Sequence, residues 1–244
     1  GSEMCIRDSY NSDYSLKKRY GNLIPAVPNN GINSIYEDHF GNIWVCTWGG
    51  GLYKYLKNTD TFMSFPTLGA NNNPFKIFQD KDDQYWILTW GDGIYRFHPD
   101  ATEDRMYTHQ EIFNEKLHQP ETAFFSVVQD DVYGYIWIFG YHELYAFKVA
   151  DGHLEKVDLS SYMFDYNKMF SQIIKDREGN LWAGAYDSGY HLLMGNPAIA
   201  NNFLPKLKRH VGFDTNITTL GIDPNNGLWF NQERWGLCLS LIHI

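Results

Sequence analysis

The 244-residue chain has few cysteines and little positive charge, and both shortages exclude classes of protein. It contains 3 cysteines, of which Cys5 and Cys238 lie near the ends, so the sequence predicts no disulfide framework. Its 20 Lys and Arg residues are outnumbered by 29 Asp and Glu residues, which gives a formal net charge of -9. Nucleic acid is not an expected partner, because its phosphates would be repelled over most of the surface. No apolar run approaches the roughly 18 residues that span a bilayer.

The sequence also lacks the common motifs of catalysis and of metal or cofactor binding. There is no His-Glu-x-x-His, no Cys-x-x-Cys, no Gly-x-Ser-x-Gly and no Walker loop. We therefore expect no catalytic residue, no bound metal and no cofactor. Calcium at Asp80-Lys81-Asp82-Asp83 is the alternative, although this stretch lacks the Gly and the distal Glu of an EF-hand loop.

What the chain does contain is one phrase repeated five times. Each copy has an apolar run that ends at an Asp, a short turn, and a Trp that follows the Asp by six positions, or by seven in the third copy. The pairs are Asp38 and Trp44, Asp80 and Trp86, Asp130 and Trp137, Asp176 and Trp182, and Asp223 and Trp229. A nearly constant period indicates one supersecondary unit copied along the chain.

The pattern inside each copy predicts β-structure. Two alternating apolar runs flank a tight turn, as in a β-hairpin, and a Gly-rich break such as Gly49-Gly50-Gly51 leads to a third run and, in some copies, a fourth. The fold class we predict is all-β: a β-propeller fragment of about five blades, each of four antiparallel strands. The predicted blades are residues 10–30 (partial), 31–70, 71–119, 120–162, 163–212 and 213–237 (partial).

The two ends of the chain do not fit the repeat. Residues 1–9 and 238–244 resemble translated sequencing-adapter sequence, and we expect them to be a non-native leader and tail. Because the repeat is interrupted at both ends, we expect an open arc of a larger, seven-bladed ring. A closed five-bladed ring, completed by the first strand, is the alternative.

The repeated Trp and Asp have structural explanations. We expect each Trp to fill the space between neighbouring blades, because a large apolar ring on the second strand faces the next sheet. We expect each Asp to cap its own turn through its side-chain oxygens.

A second aromatic position is a candidate binding site. Four residues after the repeated Trp come Trp48, Trp90, Tyr141 and Tyr186, with Glu233 in the fifth copy. Strand order places them in the turn between the second and third strands, where they would surround one opening of the central channel of the propeller. Their faces could stack on a sugar while nearby carboxylates bind its hydroxyls; these are Asp92, Glu143 and Asp187. Alternatively the rings only shield the top of the core.

The clearest copy, from Asp38 to Leu52, closely resembles the two-component regulator propeller repeat. The copy from Asp176 to Gly184 matches nearly as well, whereas the copies at Trp86, Trp137 and Trp229 keep the Asp and the Trp but change the turn. The resemblance implies the periplasmic sensor domain of a hybrid two-component system, as is common in gut Bacteroidetes. Such a domain would sense oligosaccharides or another small ligand and would form part of an inner-membrane histidine kinase.

We therefore predict a ligand-sensing propeller with no enzyme activity of its own. The resemblance implies further blades of the same full-length chain and a homodimer of the full-length sensor as partners. Two alternatives remain open: a propeller glycosidase or lyase, which would need two facing carboxylates, and a scaffold for protein interactions.

Overall fold

The computed structural model describes residues 8–19, 31–98, 116–118, 123–131, 134–140, 143–157, 170–176, 179–185, 189–194, 217–225, 227–232 and 236–240. These residues form β-strands, turns and irregular segments and include no helix, hence none that is long and apolar enough to cross a membrane. The chain divides into two compact units, Gly1–Ala123 and Phe124–Ile244.

The first unit contains one hairpin and two four-stranded blades. The hairpin pairs β1 (Asp8–Tyr10) with β2 (Leu16–Arg19). The first blade has the strand order β3 (Ile32–Glu37), β4 (Ile43–Thr47), β5 (Gly51–Leu56) and β6 (Thr61–Ser64). The second has β7 (Pro74–Gln79), β8 (Tyr85–Thr89), β9 (Ile94–Phe97) and β10 (Lys116–His118). All neighbouring strands are antiparallel.

The second unit contains one four-stranded sheet and two sheets with three described strands. The first consists of β11 (Phe124–Asp130), β12 (Tyr135–Gly140), β13 (Leu144–Lys148) and β14 (His153–Lys156). The next has β15 (Phe170–Lys175), β16 (Asn180–Ala185) and β17 (Gly189–Met194). The last has β18 (Ile217–Ile222), β19 (Leu228–Gln232) and β20 (Gly236–Ser240), so this sheet extends into the segment predicted to be a non-native tail. The prediction of antiparallel propeller blades is confirmed.

Three of the repeated Trp residues, Trp44, Trp137 and Trp182, lie between sheets of the same unit, as their position on the second strand predicts. Trp44 is buried against Tyr85 of the following blade, with ring centroids 5.3 Å apart. Trp137 packs with apolar residues of the next sheet, and Trp182 packs with Leu220 and its neighbours on the last. Each of these rings removes a large apolar area from water on packing, so the three Trp residues contribute to the stacking of the sheets they separate.

Polar contacts between first strands supplement this packing. The Ser34 hydroxyl donates to the carbonyl oxygen of Phe75 on the next blade, at 2.9 Å. Ser126 occupies the same position of its repeat, four residues before the Asp, and binds Ile173 of the next sheet. The Ser126 hydroxyl oxygen lies 3.0 Å from the Ile173 amide nitrogen, which donates to it, and 3.2 Å from the Ile173 carbonyl oxygen. Successive first strands are thereby joined at one repeated side-chain position.

Candidate functional site

Two of the predicted rim residues form an aromatic pair. Trp48 directly follows β4 and Trp90 directly follows β8, so both lie in the turn between the second and third strands. Their ring centroids are 5.4 Å apart and their planes are inclined by 69°. The Trp48 residue is 40% exposed, whereas Trp90 is half-buried and also packs on Phe75. The two indoles therefore form an open aromatic corner at one end of the first two blades.

The turns that carry the two rings share one geometry. In both blades a buried Thr ends the second strand, and its hydroxyl donates a hydrogen bond to the carbonyl oxygen of the Gly four positions later. The bond from Thr47 to Gly51 is 2.8 Å long, and the bond from Thr89 to Gly93 is 2.7 Å long. Both glycines have positive φ values, +90° and +101°, which other residues rarely adopt. The Gly-rich break is thus a compact turn that presents the preceding ring at the end of the blade.

The main chain of each Trp is bound to the residue that precedes the first strand of its own blade. The Trp48 amide donates to the Gly31 carbonyl at 2.8 Å, and the Trp90 amide donates to the Asn73 carbonyl at 2.9 Å. The side-chain oxygen of Asn73 also accepts a hydrogen bond from the amide of Gly49, in the turn of the preceding blade. This contact was not predicted from the sequence, although the run Asn71-Asn72-Asn73 before Pro74 is a recognisable turn signal.

Asp92, a predicted ligand for sugar hydroxyls, lies beneath the surface. It is 7% exposed, and its carboxylate accepts hydrogen bonds from the amides of Ala70 and Asn71 at 2.9 and 3.1 Å. Its own amide donates to the Thr89 hydroxyl at 3.1 Å. The carboxylate therefore holds the segment that connects the two blades.

Glu143, the corresponding carboxylate of the third blade, is also engaged by protein groups. It accepts hydrogen bonds from the Tyr145 hydroxyl at 2.9 Å and from the Lys156 ammonium group at 2.5 Å. Burial, and to a smaller extent the hydrogen bond to Glu143, raises the pKa of the Tyr145 hydroxyl above its ordinary value. The remaining predicted site residues lie outside the described residues; they are Tyr141, Tyr186 and Asp187.

The repeated Asp residues lie at the opposite end of the second strand and have a purely internal role. In every copy one carboxylate oxygen accepts a hydrogen bond from the indole nitrogen of the repeated Trp, at 2.8, 2.7, 3.3, 2.9 and 2.8 Å along the chain. In four copies the other oxygen accepts from turn amides, as with Asp38 and Asn42 at 2.8 Å. The predicted capping of the turn is confirmed in these four copies, and the bond to the indole was not predicted.

Asp38 carries one further contact that joins two blades. The Tyr85 hydroxyl of the second blade donates to the Asp38 carboxylate at 2.6 Å. Burial alone would raise the pKa of Asp38, but the hydrogen bonds from Tyr85, Trp44 and Asn42 outweigh it and lower the pKa below 3.8. Burial and the same bond raise the pKa of Tyr85. At physiological pH the Asp38 carboxylate is therefore charged and the Tyr85 hydroxyl is neutral.

Within the described ranges, no group of three or more His, Cys, Asp or Glu side chains could hold a metal ion. The oxygens of Asp80, the first residue of the calcium alternative, bind the indole of Trp86 and the amides of its own turn. Complete burial raises the pKa of the Cys46 thiol to about 12, so this cysteine is an inert core residue.

Comparison with known proteins agrees with the repeat. Residues 26–49 match the family model described as two component regulator propeller, which confirms the resemblance for this copy. No curated protein sequence matches the chain significantly.

Solved structures share the fold. The extracellular domain of BT4673 from B. thetaiotaomicron, described as a hybrid two component system, matches with a TM-score of 0.64 at 18% identity. The corresponding domain of BT3049 from the same organism matches with a TM-score of 0.61 at 17% identity. Virginiamycin B lyase from Staphylococcus aureus matches with a TM-score of 0.56 at 14% identity.

The matched lengths differ between these structures. The aligned region includes 95% of this chain and 29% of the BT4673 domain, and 91% of this chain and 29% of the BT3049 domain. For the lyase the shares are 88% of this chain and 71% of the enzyme. The chain thus spans less than a third of the length of the two sensor domains.

Proposed function

We propose that this chain is part of the ligand-sensing extracytoplasmic region of a two-component sensor, and that it binds an oligosaccharide at the aromatic corner of Trp48 and Trp90. Two observations support the sensor role: the two component regulator propeller repeat at residues 26–49, and the shared fold with the extracellular domains of two such systems. In this proposal the protein is periplasmic and anchored in the inner membrane, and further blades of the full-length chain complete the ring.

The observation that carries the binding proposal is the exposure of Trp48 next to Trp90. The repeated Trp residues are buried or half-buried, whereas Trp48 is 40% exposed and can offer part of its indole surface to a ligand. Aromatic faces stack on the C–H face of a sugar ring, and the inclined second indole of Trp90 adds an apolar wall beside it. In the later repeats, the same proposal gives the stacking and hydroxyl-binding roles to Tyr141, Tyr186 and Asp187.

The same proposal assigns no catalysis to these residues. A glycosidase needs two carboxyl groups that face one pocket, one as acid and one as base or nucleophile. Asp92 is buried and bound to main-chain amides, and Glu143 is paired with Lys156 and Tyr145. The likeness to a lyase extends to the propeller fold at 14% identity and carries no residue of the active site to this chain.

Isothermal titration with neutral and acidic oligosaccharides of different lengths tests the proposal. For a saccharide that binds, we expect Trp48→Ala to weaken the affinity by about 5- to 30-fold, because losing a stacking face costs roughly 1–2 kcal/mol. The matched control is Phe40→Ala, which removes an aromatic residue that is 51% exposed in the turn at the other end of the first blade.

Three results would contradict the proposal. If Trp48→Ala and Phe40→Ala bind the saccharide as the parent does, the aromatic corner is not the binding site. If none of the oligosaccharides binds, the ligand class is wrong. If the protein cleaves a saccharide and one carboxylate substitution abolishes cleavage, the chain is an enzyme.

A further inference from the structure

The segment between the first and second blades contacts both turns of the aromatic corner. It runs from Leu68 to Asn73, between β6 and β7, at the end of the blades where Trp48 and Trp90 lie. We infer that Asn73, held in place by this segment, is a positioning residue that fixes the two indoles relative to each other before a ligand binds. The effect on affinity rests on the proposed function, whereas the effect on the geometry of the indoles does not.

Asn73 is bound to both turns at once. Its carbonyl oxygen accepts the hydrogen bond of the Trp90 amide at 2.9 Å, and its side-chain oxygen accepts that of the Gly49 amide, next to Trp48. The residue is 9% exposed, so water competes little for these bonds. One residue therefore joins the turn of the first blade, through its side chain, to the turn of the second, through its main chain.

The segment around Asn73 is itself fixed. The Asn72 side-chain oxygen accepts from the Leu68 amide at 2.9 Å, and Asn72 has a φ of +48°, a left-handed conformation that Asn tolerates. Gly69, with a φ of +68°, lies so close to Asp92 that a Cβ atom there would overlap with the carboxylate. Asp92 then binds the amides of Ala70 and Asn71. Through these contacts Asp92 helps to hold in place the segment that carries Asn73.

A fixed corner has a consequence for binding. Ordering side chains and loops on association costs free energy, and a site that is already ordered avoids this cost. Loss of the Asn73 side chain should leave both indoles present and let their relative orientation vary. We expect the affinity for a saccharide to fall about tenfold, by the same preorganisation effect.

Circular dichroism can test the geometry without a ligand. Two indoles with centroids 5.4 Å apart couple excitonically and give a pair of far-ultraviolet bands of opposite sign. Trp48→Phe and Trp90→Phe each remove one partner, so the difference spectra identify the bands of this pair. We expect Asn73→Ala to reduce these bands to less than half, and Asn73→Asp to retain them, because a carboxylate oxygen can still accept from the Gly49 amide.

The matched control is Asn58→Ala, the same substitution at an exposed position in the turn between β5 and β6. Melting curves establish that each variant is folded, and Asn73→Ser replaces Asn73→Ala if the latter does not fold. The inference is overturned if Asn73→Ala keeps the full paired bands, or if the parent shows none that Trp48→Phe removes. A failure of saccharide binding with the predicted spectra would refute the proposed function and leave the positioning role standing.

Discussion

Replacing Asp80 by Ala should destabilise the first unit by about 3–5 kcal/mol, which is large for one residue in a turn. The structure gives the reason, because the carboxylate of Asp80 is bound three times. One oxygen accepts from the amides of Asp82 and Gln84 at 3.0 and 2.9 Å, and the other accepts from the indole nitrogen of Trp86 at 2.7 Å. Trp86 is fully buried, so its indole N–H has no access to water.

The expected magnitude follows from what each donor does after the substitution. The indole N–H of Trp86 would remain buried without an acceptor, which costs about 2–3 kcal/mol for a bond to a charged group. The two turn amides lie near the surface and can bind water instead, so their loss adds only about 1–2 kcal/mol. The buried indole therefore accounts for more than half of the expected effect.

Urea denaturation followed by far-ultraviolet circular dichroism measures this difference. The control is Asp82→Ala, an exposed carboxylate of the same turn, which should change the free energy of unfolding by less than about 0.5 kcal/mol. In a double-mutant cycle, Asp80→Ala should cost about 2–3 kcal/mol less in a Trp86→Phe background, because Phe has no N–H to leave unpaired. Equal costs for Asp80→Ala and Asp82→Ala, or a coupling of zero, would refute the role assigned to the buried bond.

Two further predictions concern the same motif. The pKa of Asp38 in the folded protein lies below its unfolded value near 3.8. The ionised carboxylate therefore stabilises the fold fully above pH 3.8, and this stabilisation is lost as the pH falls through the lower folded pKa. Melting curves recorded from neutral to acid pH should show this loss in the parent and a smaller loss in Asp38→Asn. An identical acid dependence in both proteins would contradict it. Trp182→Ala should lower the free energy of unfolding by about 3–5 kcal/mol in denaturation experiments, because Trp182 is 1% exposed and its removal leaves a cavity. A decrease below about 1 kcal/mol would show that the packing of the sheets does not depend on this ring.

The arrangement of the strands could be predicted because the same sequence pattern occurs five times along the chain. Period-two alternation, glycines at the turns and a Trp at a constant distance from an Asp all depend on residues close in sequence. The hydrogen bond that the indole donates to the Asp was not predicted, although the two residues are only six positions apart, as with Asp38 and Trp44. An Asp before a turn has two oxygens, and the sequence indicates a use for only one of them.

The candidate site was predicted in part. Trp48 and Trp90 could be placed from strand order alone, since both follow the second strand of a blade. The direction of the Asp92 carboxylate could not, because it depends on a segment about twenty residues away that crosses from the preceding blade. Asn73 was missed for the same reason: its side chain binds Gly49, 24 positions earlier. Contacts between blades depend on how sheets stack, which no local pattern specifies.

The serine contacts between first strands bear on how such a protein can evolve. Ser34 and Ser126 bind the main chain of the next sheet, at Phe75 and Ile173, and not its side chains. Because every residue other than proline offers the same main-chain groups, a duplicated blade can be accepted beside its parent before either has diverged. Both can then diverge without losing this link, provided that the Ser is kept. Gene duplication and recombination can therefore lengthen or shorten the array of blades by whole units.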